Sequence, residues 1–130
     1  MQIVKVNAKV VQDNTGVFIE IPILLDEKKE VIKPFLEFIL KLKRDGKSQS
    51  TVSNYTRATQ LLLEYMNANP HGFSTPQSMF ETFSSRLYTG TISEDGLDPS
   101  GLYWLPHSKQ VARLHIYALS QLTDWLAEKY

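Results

Sequence analysis

The sequence predicts a mainly α-helical fold, a four-helix bundle with an N-terminal β-hairpin. β-branched residues partly alternate over 2–11 and recur over 17–21, which is typical of two short strands. Through most of the remaining chain, apolar residues recur at steps of three and four, the spacing of amphipathic helices. With 130 residues, of which 42% are hydrophobic and 22% charged, the chain is long enough for one domain with its own core.

The hairpin is expected to span residues 2–21, with residues 12–16 as its connection and Pro22 at its end. Because an isolated hairpin is only marginally stable in water, we expect it to pack against the helices. Residues 1–25 are therefore assigned to a hairpin extension and residues 26–130 to a helical domain.

The first predicted helix covers residues 29–44. Pro34 falls in its first turn, where the missing N–H costs little, and Asp45 and Gly46 end it. We expect its apolar stripe to pack antiparallel against the second helix. The stripe consists of Val31, Ile32, Phe35, Phe38, Ile39 and Leu42.

The second predicted helix begins near Ser48 or Ser50, both of which are good N-cap residues. It ends at Asn69 and Pro70, because proline cannot continue a helix. Its expected core-facing stripe is Val52, Tyr55, Thr59, Leu62 and Met66.

The third predicted helix runs from a Thr75 cap to Gly90, and the fourth covers residues 108–128 with Ser108 as its cap. The segment between them, residues 89–106, reads as a long loop. Loops of this length are usually functional or mobile. The expected stripe of the third helix is Met79, Phe80, Phe83 and Leu87, and that of the fourth is Val111, Leu114, Ala118, Leu122 and Trp125.

Few residues suggest chemistry. The chain has no cysteine, no glycine-rich phosphate-binding motif and no catalytic grouping of side chains, so we expect no enzyme activity from it. We also expect no cofactor and no metal, since the histidines are far apart in sequence and the acidic loop residues match no calcium site. These residues are His71, His107 and His115, and Glu94, Asp95 and Asp98, the acids being read as a solvated loop.

The composition also bears on the cellular compartment and on membrane association. The absence of cysteine fits a reducing cytoplasm, and the N-terminus lacks the apolar region of a signal peptide. No apolar run reaches the roughly 18 residues of a membrane span. We therefore expect a cytoplasmic protein with no membrane partner.

Charge is uneven along a chain whose net charge is zero. Residues 28–57 hold eight basic and three acidic residues, which is the pattern of a surface that binds a polyanion. A solvated helix face would give the same pattern, so charge alone leaves both interpretations open. The eight basic residues are Lys28, Lys29, Lys33, Lys41, Lys43, Arg44, Lys47 and Arg57.

One local pattern is more specific. An amphipathic helix leads into a turn at Gly46 and Ser48, followed by Thr51 and Tyr55 at the start of the second helix. This pattern resembles the N-terminal core-binding (SAM-like) domain of phage integrases and other tyrosine recombinases, in which a G-x-S/T turn precedes T-x-x-x-Y. The resemblance covers about residues 31–68 and is weaker over 108–128.

The resemblance implies a function. In that family this domain forms half of a clamp around double-stranded DNA during integration and recombination, and the catalytic groups lie in a second domain. This chain would then be the non-catalytic part of a DNA-cleaving and rejoining recombinase that oligomerises on DNA. The residues expected to contact DNA are Lys43, Arg44, Lys47, Ser48, Ser50, Thr51, Asn54, Arg57, Lys109, Gln110 and Arg113.

The residues themselves allow this interpretation, because helix N-termini offer free N–H groups to phosphates. We expect the basic turn and the start of the fourth helix to form one DNA-facing surface. Alternatives stay open: Ser48 or Ser50 as a plain N-cap, and Tyr55 as a core residue. A second class of function is a helical protein–protein interaction module, with Tyr103 and Trp104 as its exposed contact.

Overall fold

Four helices and one hairpin make up the part of the chain that the structure, a computed structural model, describes, namely residues 3–12, 17–69 and 75–129. The mainly helical class with an N-terminal hairpin is therefore confirmed. The predicted turn at 13–16, Pro70 and His71 lie outside the described residues. The elements are β1 (Val4–Gln12), β2 (Val17–Leu25), α1 (Lys33–Arg44), α2 (Gln49–Ala68), α3 (Pro76–Thr89) and α4 (Lys109–Lys129).

The hairpin pairs β1 antiparallel with β2, from Val4 opposite Leu25 to Gln12 opposite Val17. β2 continues past Pro22, the predicted end, which is tolerated because both strands of a two-stranded sheet are edge strands. The hairpin packs on the helices, as expected. Ile3, Ile21 and Leu24 are buried in the same core as the helical side chains, and Gln60 Nε2 donates a hydrogen bond of 3.1 Å to the Ile3 carbonyl.

The first helix begins at Lys33 rather than at residue 29. Residues 26–30 instead form a turn around Asp26, whose Oδ1 accepts the N–H groups of Lys28 and Glu30. The chain then runs beside β2, where the Ile32 N–H donates to the Leu24 carbonyl. These hydrogen bonds favour an extended approach to the helix, so Val31 is half-exposed instead of belonging to the helical stripe.

The helix caps follow the sequence prediction closely. The side chains of Ser48, Thr75 and Ser108 accept the N–H groups of Thr51, Ser78 and Val111. α1 ends at Asp45 and Gly46, with Gly46 at a φ of 77°, a conformation that glycine adopts without strain. The local sequence signals were therefore sufficient to predict these helix ends, because each cap depends on only three or four neighbouring residues.

α2 lies at the centre of the bundle and contacts β2 and all three other helices. Its most extensive packing is against α4 rather than α1. The two helices are antiparallel: Asn54 lies beside Leu114, while Lys47, in the turn just before α2, shares a groove with Gln121, later on α4. Buried alanines, Ala58 on α2 and Ala112 and Ala118 on α4, are small enough to allow a close approach of the two helices.

α1 joins this pair through an aromatic cluster. The ring of Phe38 lies 5.4 Å from the ring of Tyr55 on α2 and 5.4 Å from that of Trp125 on α4. Tyr55 is thus a core residue, the alternative that the sequence left open. The predicted contact of α1 with Met66 is wrong, since Met66 is 42% exposed.

On α2 and α4, the buried face differs in part from the predicted apolar stripe. On α2, Leu61 and Tyr65 are buried, because this helix is covered on several sides rather than along one narrow face. On α4, Val111 and Leu114 are exposed, and the helix instead buries Ala112, His115 and Leu119. Ala118 and Leu122 of the predicted α4 stripe are buried, so the prediction is confirmed for this part of the helix. It is wrong for the first turns, where a small alanine and a neutral histidine carry weak apolar signals.

The long loop between α3 and α4 is organised around Asp98, which is buried rather than solvated as the sequence suggested. Its carboxylate accepts the N–H groups of Ser100 and Tyr103, both at 2.8 Å, and the hydroxyls of Ser100 and Thr91. Loss of hydration alone would raise the pKa of Asp98, but these hydrogen bonds outweigh it and lower the pKa to about 2.

The different burial of Leu61 and Met66 on α2 gives a stability test. Replacing Leu61, which is 1% exposed, with alanine should lower the free energy of unfolding by about 2–5 kcal/mol, since it leaves a cavity. Replacing Met66 with alanine should change it by less than about 1 kcal/mol. Urea denaturation measures both. Equal losses, or a larger loss for Met66→Ala, would contradict the observed orientation of α2.

Asp98 gives a pH-dependent test. Its pKa is lower in the fold than the ordinary 3.8, so its stabilisation is complete above about pH 4 and is lost as pH falls towards 2. Asp98→Asn should lower the free energy of unfolding by about 1–3 kcal/mol at neutral pH. It should also flatten the pH dependence between these limits, measured by denaturation at several pH values. Glu94→Gln, an equal charge change at an exposed site, is the control. An unchanged pH dependence in Asp98→Asn would contradict this role.

Candidate nucleic-acid interface

The turn between α1 and α2 carries three of the predicted DNA contacts, Lys43, Arg44 and Lys47. Arg44 and Lys47 are exposed, and Lys43 donates to the side chain of Gln49 at 2.8 Å. Among the described residues, none of the three forms an ion pair. The nearby acid Asp45 is already engaged by Lys41 at 2.6 Å, and this hydrogen bond lowers the pKa of Asp45. The turn therefore presents positive charge that Asp45 compensates only in part.

The hydroxyl groups at the start of α2 are largely used by the helix itself. Ser48 Oγ accepts the Thr51 N–H at 3.1 Å and donates to Thr51 Oγ1 at 3.0 Å. Ser48 is thus the N-cap. Ser50 is exposed in the first turn of α2. Its backbone N–H comes before the first one that donates within the helix, which is the N–H of Val52. The free donors at this helix end are therefore mainly backbone groups.

Ser50, Asn54 and Arg57 lie on one face of α2, since they are spaced by four and three residues. Asn54 Nδ2 donates to the Leu114 carbonyl of α4 at 3.3 Å, so this amide is partly committed to helix packing. Arg57 is exposed and donates through Nη1 to Gln60 at 3.3 Å, which leaves other guanidinium N–H groups free.

Lys109, Gln110 and Arg113 are all exposed in the first turn and a half of α4. Because α4 is antiparallel to α2, they do not lie beside the start of α2. With Asn54 level with Leu114 and a rise of 1.5 Å per residue, Lys109 lies about 15–20 Å along the helix axis from Ser48. The basic turn and the start of α4 are thus separated regions, with Asn54 and Arg57 between them.

Acidic residues limit the positive surface on one side. Lys47 lines a groove of about 420 Å³ together with Asp45 and with Tyr117, Asp124 and Glu128 of α4. A polyanion would be repelled from this groove by the three carboxylates. The region suited to an anion is therefore the exposed side of the α1–α2 turn and of α2.

A histidine pair beside this region was not anticipated from the sequence. The rings of His107 and His115 lie 5.7 Å apart at 87°. Burial lowers the pKa of His115 to about 4, and the neighbouring His107 and Arg57 act in the same direction. His115 is therefore neutral at physiological pH and adds no charge to the surface. Within the described residues, no three metal-ligating side chains come together.

Of the two aromatic residues predicted to form a protein-interaction contact, only Tyr103 is well exposed. Trp104 is partly buried, with its ring 5.7 Å from that of Tyr65 and 6.0 Å from that of Phe83. Tyr103 remains 51% exposed, at a φ of 54° that bulky residues rarely adopt. The sequence placed both aromatic residues on the surface, but alternate residues of this extended segment point in different directions.

Comparisons of the chain with protein-family models, with curated proteins and with solved structures find no match in any of the three. None of the helices in the described ranges has the length and apolar character required to cross a membrane. A function has therefore to be argued from the residues of this chain.

Proposed function

We propose that this chain is a DNA-binding helical module, with the α1–α2 turn and the exposed face of α2 as its contact surface. The observation that carries this proposal is the group formed by Lys43, Arg44, Lys47 and Arg57. None of these four cations forms a salt bridge among the described residues, although Asp45 offsets part of the charge of Arg44 and Lys47, and Glu64 part of that of Arg57. Lys43, Arg44 and Lys47 lie directly before the N-terminus of α2. Exposed cations of this kind bind phosphates and release counterions.

The start of α4 extends this surface. Arg113 lies about 10 Å along the helix axis from Ser48, level with the segment between Asn54 and Arg57. Lys109 lies beyond Arg57, about 15–20 Å from the basic turn. The major groove of B-DNA is about 12 Å wide, so cations at this separation can contact phosphates on its two sides. Ser50 and Gln110 are exposed at the two ends and supply further hydrogen bonds. Such contacts position a protein on DNA without specifying a sequence.

The finer proposal is that the bundle is a SAM-like core-binding domain of an integrase-like tyrosine recombinase. It is supported by the resemblance at Gly46, Ser48, Thr51 and Tyr55. Ser48 is the N-cap and Tyr55 a core residue, so these two side chains shape the bundle. On this proposal the chain holds double-stranded DNA and performs no chemistry. Cleavage and rejoining belong to another domain of the parent protein, which oligomerises on DNA.

A protein-interaction module is the second candidate. Exposure of Tyr103 and of Leu105, which is 72% exposed, favours it, because the two side chains are two residues apart on one loop and exposed apolar patches mark interaction sites. The inward packing of Trp104 weakens it, since the expected aromatic surface is reduced to one ring.

The DNA proposal predicts a charge-specific loss of affinity. Lys47→Ala and Arg57→Ala should each weaken binding to any duplex, and each should reduce the slope of log affinity against log salt by about 0.9. Fluorescence anisotropy of a labelled duplex at several salt concentrations measures both quantities. Lys5→Ala is the matched control, because Lys5 is exposed on β1 outside the proposed surface.

Two results would contradict the proposal. Equal losses in Lys5→Ala and in the two test variants would mean that only diffuse charge matters. Absence of binding by the unmodified chain at low salt would exclude the surface altogether. A partner captured through Tyr103, with an affinity insensitive to salt, would favour the protein-interaction function instead.

A further inference from the structure

A second polar site lies at the other end of α2. A cleft of about 370 Å³ separates the C-terminal part of α2 from the loop that precedes α4, and it is lined by Glu64, Asn67, Ser100 and Trp104 among others. This volume is within the range of small-molecule sites. Asn67 follows Ser48 by 19 residues, which places the cleft far from the basic turn. The cleft is therefore separate from the basic turn, while Arg57 of the proposed DNA surface lies two turns before Glu64 on α2.

Asn67 has an unsatisfied hydrogen-bond donor. Its Nδ2 atom is buried and has no hydrogen-bond partner. A buried polar group left in this state costs about 1–3 kcal/mol, so native proteins rarely retain one without a reason. Asn67 also lines the cleft, and a half-turn of its amide moves Oδ1 into the buried position and brings the N–H to the place that Oδ1 occupied, where an acceptor on a ligand can receive it.

Glu64 supplies the complementary acceptor. It precedes Asn67 by three residues, which puts the two side chains on neighbouring positions of one helix face. Glu64 is partly buried, and this burial raises the pKa of its carboxyl group, against a smaller opposing effect of Arg57. Among the described residues it forms no salt bridge. A donor and an acceptor thus line the same cleft side by side.

Trp104 supplies a flat surface. Its ring is held from behind by Tyr65 and Phe83, and its backbone N–H is bonded to Thr91 Oγ1 at 2.8 Å. A partly exposed indole fixed in this way is suited to stacking against a planar ligand. Stacking of bases on aromatic side chains is a general mode of binding unpaired nucleotides.

We propose that this cleft binds a nucleobase whose edge carries an amino group next to a ring nitrogen, as in adenine and cytosine. Asn67 donates to the ring nitrogen, Glu64 accepts from the amino group, and the base stacks on Trp104. Uracil lacks the amino group and presents a carbonyl to Glu64, so its binding is disfavoured. The base belongs either to a free nucleotide or to an unpaired nucleotide of a strand.

Titration with nucleosides tests the site. In a Trp125→Phe background, where the fluorescence comes from Trp104, adenosine and cytidine should quench the signal saturably. Uridine should bind at least about tenfold more weakly, as expected for the loss of one hydrogen bond. Asn67→Leu and Glu64→Gln should each weaken adenosine binding by about tenfold or more. Asn7→Leu, on the exposed part of β1, is the matched control.

The two sources of the base are separated by comparing adenosine monophosphate with a short oligoadenylate. Tighter, salt-dependent binding of the oligonucleotide identifies a strand, and equal affinity identifies the free nucleotide. Circular dichroism checks that each variant is folded, and Glu64→Gln keeps the test decisive if Asn67→Leu unfolds. No saturable quenching by adenosine or cytidine up to about 10 mM would overturn the proposal. Equal affinities of the unmodified chain and of a folded variant for adenosine would also overturn it.

Discussion

The antiparallel packing of α2 on α4 is the constraint on which the rest of the structure depends. The alanines at the contact let the two helices approach closely, and Asn54 links them through its hydrogen bond to the Leu114 carbonyl. Phe38 then joins α1 to both helices by packing on Tyr55 and Trp125. The hairpin closes the core through Ile21 and Leu24, so each remaining element is placed relative to this pair.

This packing also determines where the polar groups lie. It brings the carboxylates of Asp124 and Glu128 to the groove beside Lys47, and it carries Lys109 to the opposite end of α2. The positive surface is consequently a strip along α2 and α4 instead of a single patch. The cleft at Asn67 lies beyond that strip, where α2 meets the loop organised by Asp98. One central helix, α2, thus carries parts of both polar regions, the positive strip and the cleft at Asn67.

The sequence predicted the parts of this fold that depend on neighbouring residues. Helix caps at Ser48, Thr75 and Ser108 need only a local hydrogen bond. Thr75 and Ser108 were identified correctly, and Ser48 was one of two candidates. The face of α4 could not be read in the same way. His115 is neutral because it is buried, and its burial depends on the packing of α2 and α4, which periodicity does not encode.

The site was predictable to a similar degree. The basic residues of the α1–α2 turn were identified from charge alone, because their exposure follows from their position between two helices. Their separation from Lys109 depends on helix direction, which the sequence does not specify. Asp98 was missed because four donors reach its carboxylate from Thr91, Ser100 and Tyr103, up to seven residues away.

The most direct measurement of the central claim is a nitrogen–proton NMR titration of the labelled chain with a short DNA duplex. Binding through the strip along α2 should shift the amide signals of residues 43–57 and 109–113 most strongly, and added salt should reverse these shifts. Signals of residues 91–103 should change little. The largest shifts in the loop around Tyr103, or no shifts that depend on salt, would contradict the assignment of this face to DNA.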